Sequence, residues 1–165
     1  MGDSRSLDDL HPQVKAMAEE LLARCAAAAI PLTVTFTLRS LERQAQLYGQ
    51  GRTTPGLVVT NARPGYSLHN YGLALDVVPD ELLPLPRWGD TPKHRARTAE
   101  LWAQVGAIGK AVGLRWGGEF KRLPDRPHFE WSGGLTLAQL REGMLPRSLR
   151  APAGARDIDN QGEKA

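Results

Sequence analysis

Along LHPQVKAMAEELLARCAAAA, apolar residues return at Val14, Met17, Ala18, Leu21, Leu22 and Cys25, three and four positions apart. That spacing predicts an amphipathic helix, closed by Pro31. The period then changes. In PLTVTFTLRS, Leu32, Val34, Phe36 and Leu38 alternate with Thr33, Thr35 and Thr37, which predicts a half-buried strand delivering Arg39 at its end. SLERQAQLYGQG predicts a short helix capped by Ser40 and closed by glycine, with Glu42, Arg43 and Gln46 toward water. Residues 49–65 are rich in Gly and Pro and predict a loop, in which Leu57, Val58 and Val59 suggest a short strand. ALDVVP reads as a buried strand, and residues 79–93 as a second Pro-rich loop. TAELWAQVGAIGKAVGL is a second long helix through Leu101, Val105, Ile108 and Val112, with Gly113 as its stop. RWGGEF and RPHFEW predict two closing strands around a turn, followed by a small helix in TLAQLREG. Helices and strands are interspersed without a regular βαβ repeat, so the predicted class is α+β with a small, mainly antiparallel sheet.

Composition narrows this picture modestly. A chain of 165 residues, 41% hydrophobic and 24% charged, fits one domain over residues 1–150. From Pro152 onward apolar residues are sparse, so residues 151–165 are expected to be a disordered tail. No stretch approaches the roughly 18 apolar residues of a membrane span, which argues against membrane insertion. The start, MGDSRSLDDLH, lacks an apolar core, so synthesis in a cytoplasm is expected. The formal charge of +3 allows attraction to nucleic acid, wall polymer or lipid headgroups without choosing among them. Cys25 is the single cysteine, which excludes an internal disulfide, and its apolar helical setting suits a small buried hydrophobe.

Candidate chemistry begins at SLHNYGLALDVVP. An ionisable Asp76 inside an apolar strand is costly unless something binds it. His69 lies seven positions earlier, an odd separation that one unbroken strand would send to the opposite face, so a bend is required. Gly72, in Asn70-Tyr71-Gly72, supplies a residue free to make it. Downstream, His128 opens a strand in which His128 and Glu130 share one face, and Phe129 and Trp131 the other. Two histidines and one carboxylate match a catalytic zinc set with water in the fourth position, and a further carboxylate, Asp125 or Glu130, offers a base toward that water. His11 and His94, in polar segments, read as solvated. The four tryptophans read as core or cleft wall.

The ordered series Ser67, His69, Gly72, Ala74, Asp76, then Asp125, Pro127, His128, resembles the M15 family of zinc peptidases. That family comprises D-Ala-D-Ala carboxypeptidases and dipeptidases and phage L-alanyl-D-glutamate endopeptidases on a Hedgehog-type α+β fold. The similarity runs over roughly residues 7–145, and QGRTTPG, VTNA and GLRWGG resemble the endopeptidase, endolysin-type branch. The resemblance implies that His69, Asp76 and His128 bind Zn2+, that Asp125 rather than Glu130 is the general base, and that Arg39 contacts substrate near the scissile carbonyl. It places Gln44 and Ser67 on the substrate side. TFTLRS departs from the glycine-aromatic pair commoner before the arginine, and the Asp form of the base agrees with the endopeptidases. A bland alternative for Arg39 is a surface ion pair with Glu42. The resulting expectation is a zinc peptidase cutting the L-Ala–D-Glu bond of peptidoglycan stem peptides. It would act as a monomer, without nucleic acid, as a phage lysis enzyme made in the host cytoplasm and reaching the wall by holin-type release. The alternatives are a D-Ala-D-Ala carboxypeptidase or dipeptidase and, outside enzymes, a Hedgehog-like zinc-binding module without catalysis.

Overall fold

A computed structural model describes residues 3–83 and 92–147. The elements in chain order are α1 (Pro12–Ala27), β1 (Leu32–Phe36), α2 (Leu41–Gly49), β2 (Ala74–Pro79), α3 (Pro92–Ala111), β3 (Arg115–Trp116), β4 (His128–Glu130) and α4 (Leu137–Arg141). Short 3-10 turns include Leu68–Tyr71 and Gly117–Glu119. The four strands form one antiparallel sheet in the order β1-β2-β4-β3, so the α+β class and small antiparallel sheet are as expected.

The buried face of α1 is Val14, Met17, Ala18, Leu21 and Cys25, as its periodicity requires. Together with Leu101, Trp102 and Val105 of α3 and Leu75, Val77 and Phe129 of the sheet, it makes one apolar core. Two glycines let α3 lie close to the aromatics of β3 and β4. A Cβ at Gly106 would fall 2.4 Å from the Trp116 ring, and one at Gly109 2.2 Å from Phe129.

Four expectations need correction. Pro31 does not end α1. The helix stops at Ala27, and Ala29, at φ 59°, turns the chain so that Ile30 N–H donates to the Cys25 carbonyl. The simple alternation predicted for β1 fails because a register shift between Val34 and Phe36 introduces an extra residue against β2, leaving Thr37 fully buried and Leu38 only partly so. Leu57, Val58 and Val59 form no strand and are exposed. The second long helix begins at Pro92, six residues before the predicted Thr98. Most of the second Pro-rich loop, Trp88 within it, and the whole of the expected tail lie outside the described residues. Among the described residues no helix is long and apolar enough to cross a membrane.

Candidate metal centre and cleft

His69, Asp76 and His128 arrive from three elements and meet at one point. The bend anticipated between the first two is the 3-10 turn Leu68–Tyr71, closed by Gly72 at φ 66°. Any side chain at Gly72 would collide with the Asp9 carbonyl, its Cβ 2.7 Å away. β2 and β4 pair Asp76 directly opposite His128. His69 Nε2, Asp76 Oδ1 and His128 Nδ1 then form a triangle whose three sides are each 3.1 Å.

This donor set fits a zinc ion. Tetrahedral zinc with nitrogen and oxygen bonds near 2.0–2.1 Å has ligand-to-ligand edges of about 3.3–3.4 Å, close to the observed triangle. The electrostatics agree. Burial alone would push the Asp76 carboxyl up, but the charge of His69 and hydrogen bonds with both histidines hold it well below the usual carboxylate range. Burial disfavours a charged His128, yet its hydrogen bonds to Asp76 and Glu130 prevail and push its pKa up to about 10. The centre of the triangle is a place that draws positive charge.

Each ring is held from behind. The Thr37 carbonyl lies 2.7 Å from His69 Nδ1, so that nitrogen donates and in the neutral ring, the form that binds a metal, Nε2 carries the lone pair. The register shift that buries Thr37 thus bears directly on the site. His128 Nε2 faces Glu130 Oε2 at 2.9 Å, and Glu130 Oε1 accepts from Arg115 at 2.8 Å.

The triangle opens on a cleft of about 1230 Å³ lined among others by Arg39, Tyr66, Ser67, Phe120, Asp125 and Trp131. Arg39 is held by both its backbone and its guanidinium. Its N–H donates to the His69 carbonyl, its own carbonyl accepts from Asn70, and its Nη2 lies 3.7 Å from Asp76 Oδ2. Its partner is therefore Asp76 and not Glu42. Arg39 Nε is buried with no hydrogen-bond partner among the described residues, leaving a donor available in the site. Asp125 is exposed as a residue but lines the cleft. Desolvation of its carboxyl and repulsion from Asp76 hold it above the ordinary carboxylate range, against the pull of His128, His69 and Arg39. Its backbone is clamped by an N–H to the Gly117 carbonyl, and a Cβ at Gly117 would sit 2.5 Å from the Asp125 carbonyl oxygen.

Ser67 lines the cleft at the start of the turn that carries His69, and its side chain caps nothing. Gln44 differs from expectation. It is fully buried and absent from the cleft lining, its amide accepting from Arg39 Nη1 and donating to the Ala62 carbonyl. It reaches the site through Arg39 and through Ala62, both of which line the cleft. His11 is not solvated either, since Nδ1 caps α1 by accepting from Gln13 N–H and Nε2 lies 3.0 Å from the Pro146 carbonyl. The part that sequence reasoning missed is the Thr37 carbonyl, which no periodicity signals.

Comparisons with known proteins agree with this architecture. Residues 60–131 match the Peptidase_M15_4 family model, described as D-alanyl-D-alanine carboxypeptidase. The chain is 41% identical over 122 residues to the peptidoglycan L-alanyl-D-glutamate endopeptidase CwlK of Bacillus subtilis, covering 74% of this chain and 73% of that protein. Among solved structures, the Serratia marcescens L-Ala D-Glu endopeptidase ChiX superposes with a TM-score of 0.52 at 24% identity, covering 84% of this chain and 92% of its own. A mutant of the vancomycin-resistance D,D-pentapeptidase VanY in complex with Zn(II) superposes with a TM-score of 0.54 at 14% identity, covering 82% and 80%. The chain belongs to the M15 family of zinc peptidases, and the fold of its described residues is the one those structures share.

Proposed function

We propose that this peptidase hydrolyses the L-Ala–D-Glu bond in the peptide stem of bacterial peptidoglycan. The observation that carries the reading is the 3.1 Å His69–Asp76–His128 triangle opening on a cleft lined by Asp125 and Arg39. The 41% identity to a protein named for that bond supports the choice of substrate.

In this reading His69, Asp76 and His128 hold the zinc, which when bound supplies Lewis acidity toward the scissile carbonyl and acidifies the attacking water. Asp125 takes the proton of that water and passes it to the leaving amine, a role its raised carboxyl pKa suits because a stronger base accepts more readily. Arg39 steadies the oxyanion that develops on the carbonyl, its guanidinium already oriented by Asp76 and Gln44 so that little reorganisation accompanies the step. Ser67, uncommitted in the cleft wall, contributes a hydrogen bond to the substrate.

A carboxypeptidase reading is favoured by one observation, the description of the matching family model. Synthetic peptides separate the two. Incubation with a pentapeptide stem is expected to release L-Ala and a peptide beginning at D-Glu, with free D-Ala-D-Ala left uncut. Release of D-Ala alone would favour the carboxypeptidase.

The cellular setting we propose is a phage lysis enzyme, made in the host cytoplasm and admitted to the wall by a holin-type pore, with the net charge of +3 favouring retention on anionic wall polymer. It acts as a monomer on a single folded unit, residues 1–150. Expression in a bacterial host is expected to lyse the culture only when a pore-forming protein is co-expressed.

A further inference from the structure

We infer that Glu130, backed by Arg115, is the positioning residue that fixes His128 as a metal ligand by holding its Nε2–H and so presenting the Nδ1 lone pair to the zinc. The inference rests on the metal centre and is independent of which bond the enzyme cuts.

A neutral imidazole carries one N–H, and the nitrogen without it keeps the lone pair that a metal needs. The two histidines of the triangle face inward through opposite nitrogens, His69 by Nε2 and His128 by Nδ1. Each therefore needs its own acceptor, on opposite sides of the ring. His69 has the Thr37 carbonyl on Nδ1. His128 has the Glu130 carboxylate on Nε2, at 2.9 Å. A charged acceptor does more than choose the tautomer, because it also raises the basicity of the ring as a ligand.

The sheet builds this arrangement in. His128 and Glu130 lie two residues apart on β4, on one face of the strand, and Arg115 of β3 sits directly opposite Glu130 in the ladder. Arg115 Nη1 donates to Glu130 Oε1 at 2.8 Å, which leaves Oε2 for the ring and fixes the carboxylate plane. The Arg115 guanidinium also lies 4.5 Å over the Phe120 ring, whose centroid is 5.8 Å from that of His128. Glu130 keeps only 12% of its side chain exposed, while Arg115 keeps 70%. The pair thus runs from solvent to the back of the ligand ring. Both carboxylate oxygens of Glu130 are taken, and they lie on the side of His128 away from the nitrogen that faces the triangle. That placement removes Glu130 as the rival to Asp125 for the water's proton.

The test is the zinc dissociation constant of the purified full chain, measured by competition with a chromophoric chelator at neutral pH. Glu130→Leu is expected to bind zinc about 10- to 100-fold more weakly. Glu130→Gln keeps an oxygen that accepts the same N–H without the charge, and is expected to recover most of that loss. Nitrogen-15 NMR of zinc-loaded Glu130→Gln should still show the His128 Nε2–H tautomer. If Glu130→Leu fails to fold, Glu130→Ala takes its place with the same expected loss. Zinc affinity within about twofold of wild type in a folded Leu or Ala variant would overturn the inference, because a loss of at least about tenfold is required. So would a Gln variant that binds zinc no better than the Leu variant. Full zinc affinity with turnover abolished in Glu130→Gln would overturn it in favour of a general base at this position.

Discussion

Removing one side chain of the triangle leaves the other two donors facing each other across an unfilled third position, so His69→Ala and His128→Ala are each expected to lose most bound zinc and nearly all activity. Elemental analysis of the purified variants checks this, and a full equivalent of zinc in both would contradict the ligand assignment. Asp125→Asn separates binding from chemistry. It should keep one equivalent of zinc while turnover falls by about 10²- to 10⁴-fold, the usual contribution of a positioned base. Cys25 is expected to be inert in the native state, because burial pushes its thiol up to about 11 and it has no exposed surface. A thiol reagent should label it only on unfolding. At this scale the sequence is informative, since the carboxylate in ALDVVP and the two histidines it singles out are the three side chains that the fold brings together. What it hides is the set of groups acting through others. The acceptor behind His69 is a backbone carbonyl, and Gln44 reads as a polar helix residue although its amide is buried and bonded to Arg39 and Ala62.

Elements were legible where period and punctuation agreed. α1 and α3 announced themselves by apolar spacing, α2 by Ser40, whose side chain accepts from Arg43 N–H as a cap should. The misreadings share a cause, which is that tertiary contact overrides a local signal. Pro31 was a plausible stop, but Ala29 turns the chain first. The alternation in PLTVTFTLRS gave no sign of the register shift against β2. Two substitutions exploit these details. Ala29 is exposed and holds a left-handed conformation that glycine adopts without strain, so Ala29→Gly should stabilise the fold by about 0.5–1 kcal/mol despite the greater freedom of the unfolded glycine. Gly72→Ala combines the same conformation with a collision against the Asp9 carbonyl, and should destabilise by about 1–3 kcal/mol while weakening zinc binding, since the turn aims His69. Urea denaturation of both variants measures the two signs.

For the molecule as a whole, a zinc ion held by His69, Asp76 and His128 would bridge the 3-10 turn, β2 and β4, and a ligand that binds only the folded state stabilises it by an amount that grows with the logarithm of its free concentration relative to its dissociation constant. Chelation should therefore lower Tm, and adding zinc back should restore it. Deleting residues 152–165 should change neither Tm nor hydrolysis of soluble stem peptides, because that segment has little apolar area to bury. The class of fold and the centre of the site could be anticipated from residue order alone. The cleft walls could not, since they are assembled from segments far apart in the chain, such as Tyr66, Phe120 and Trp131. The central claim concerns the bond that is cut in intact wall. Mass spectrometry of muropeptides after digestion of purified sacculi names it from the new termini. Stem peptides beginning with D-Glu, with L-Ala left on the muramic acid, are the predicted products, whereas free D-alanine with L-Ala–D-Glu bonds intact would contradict the account.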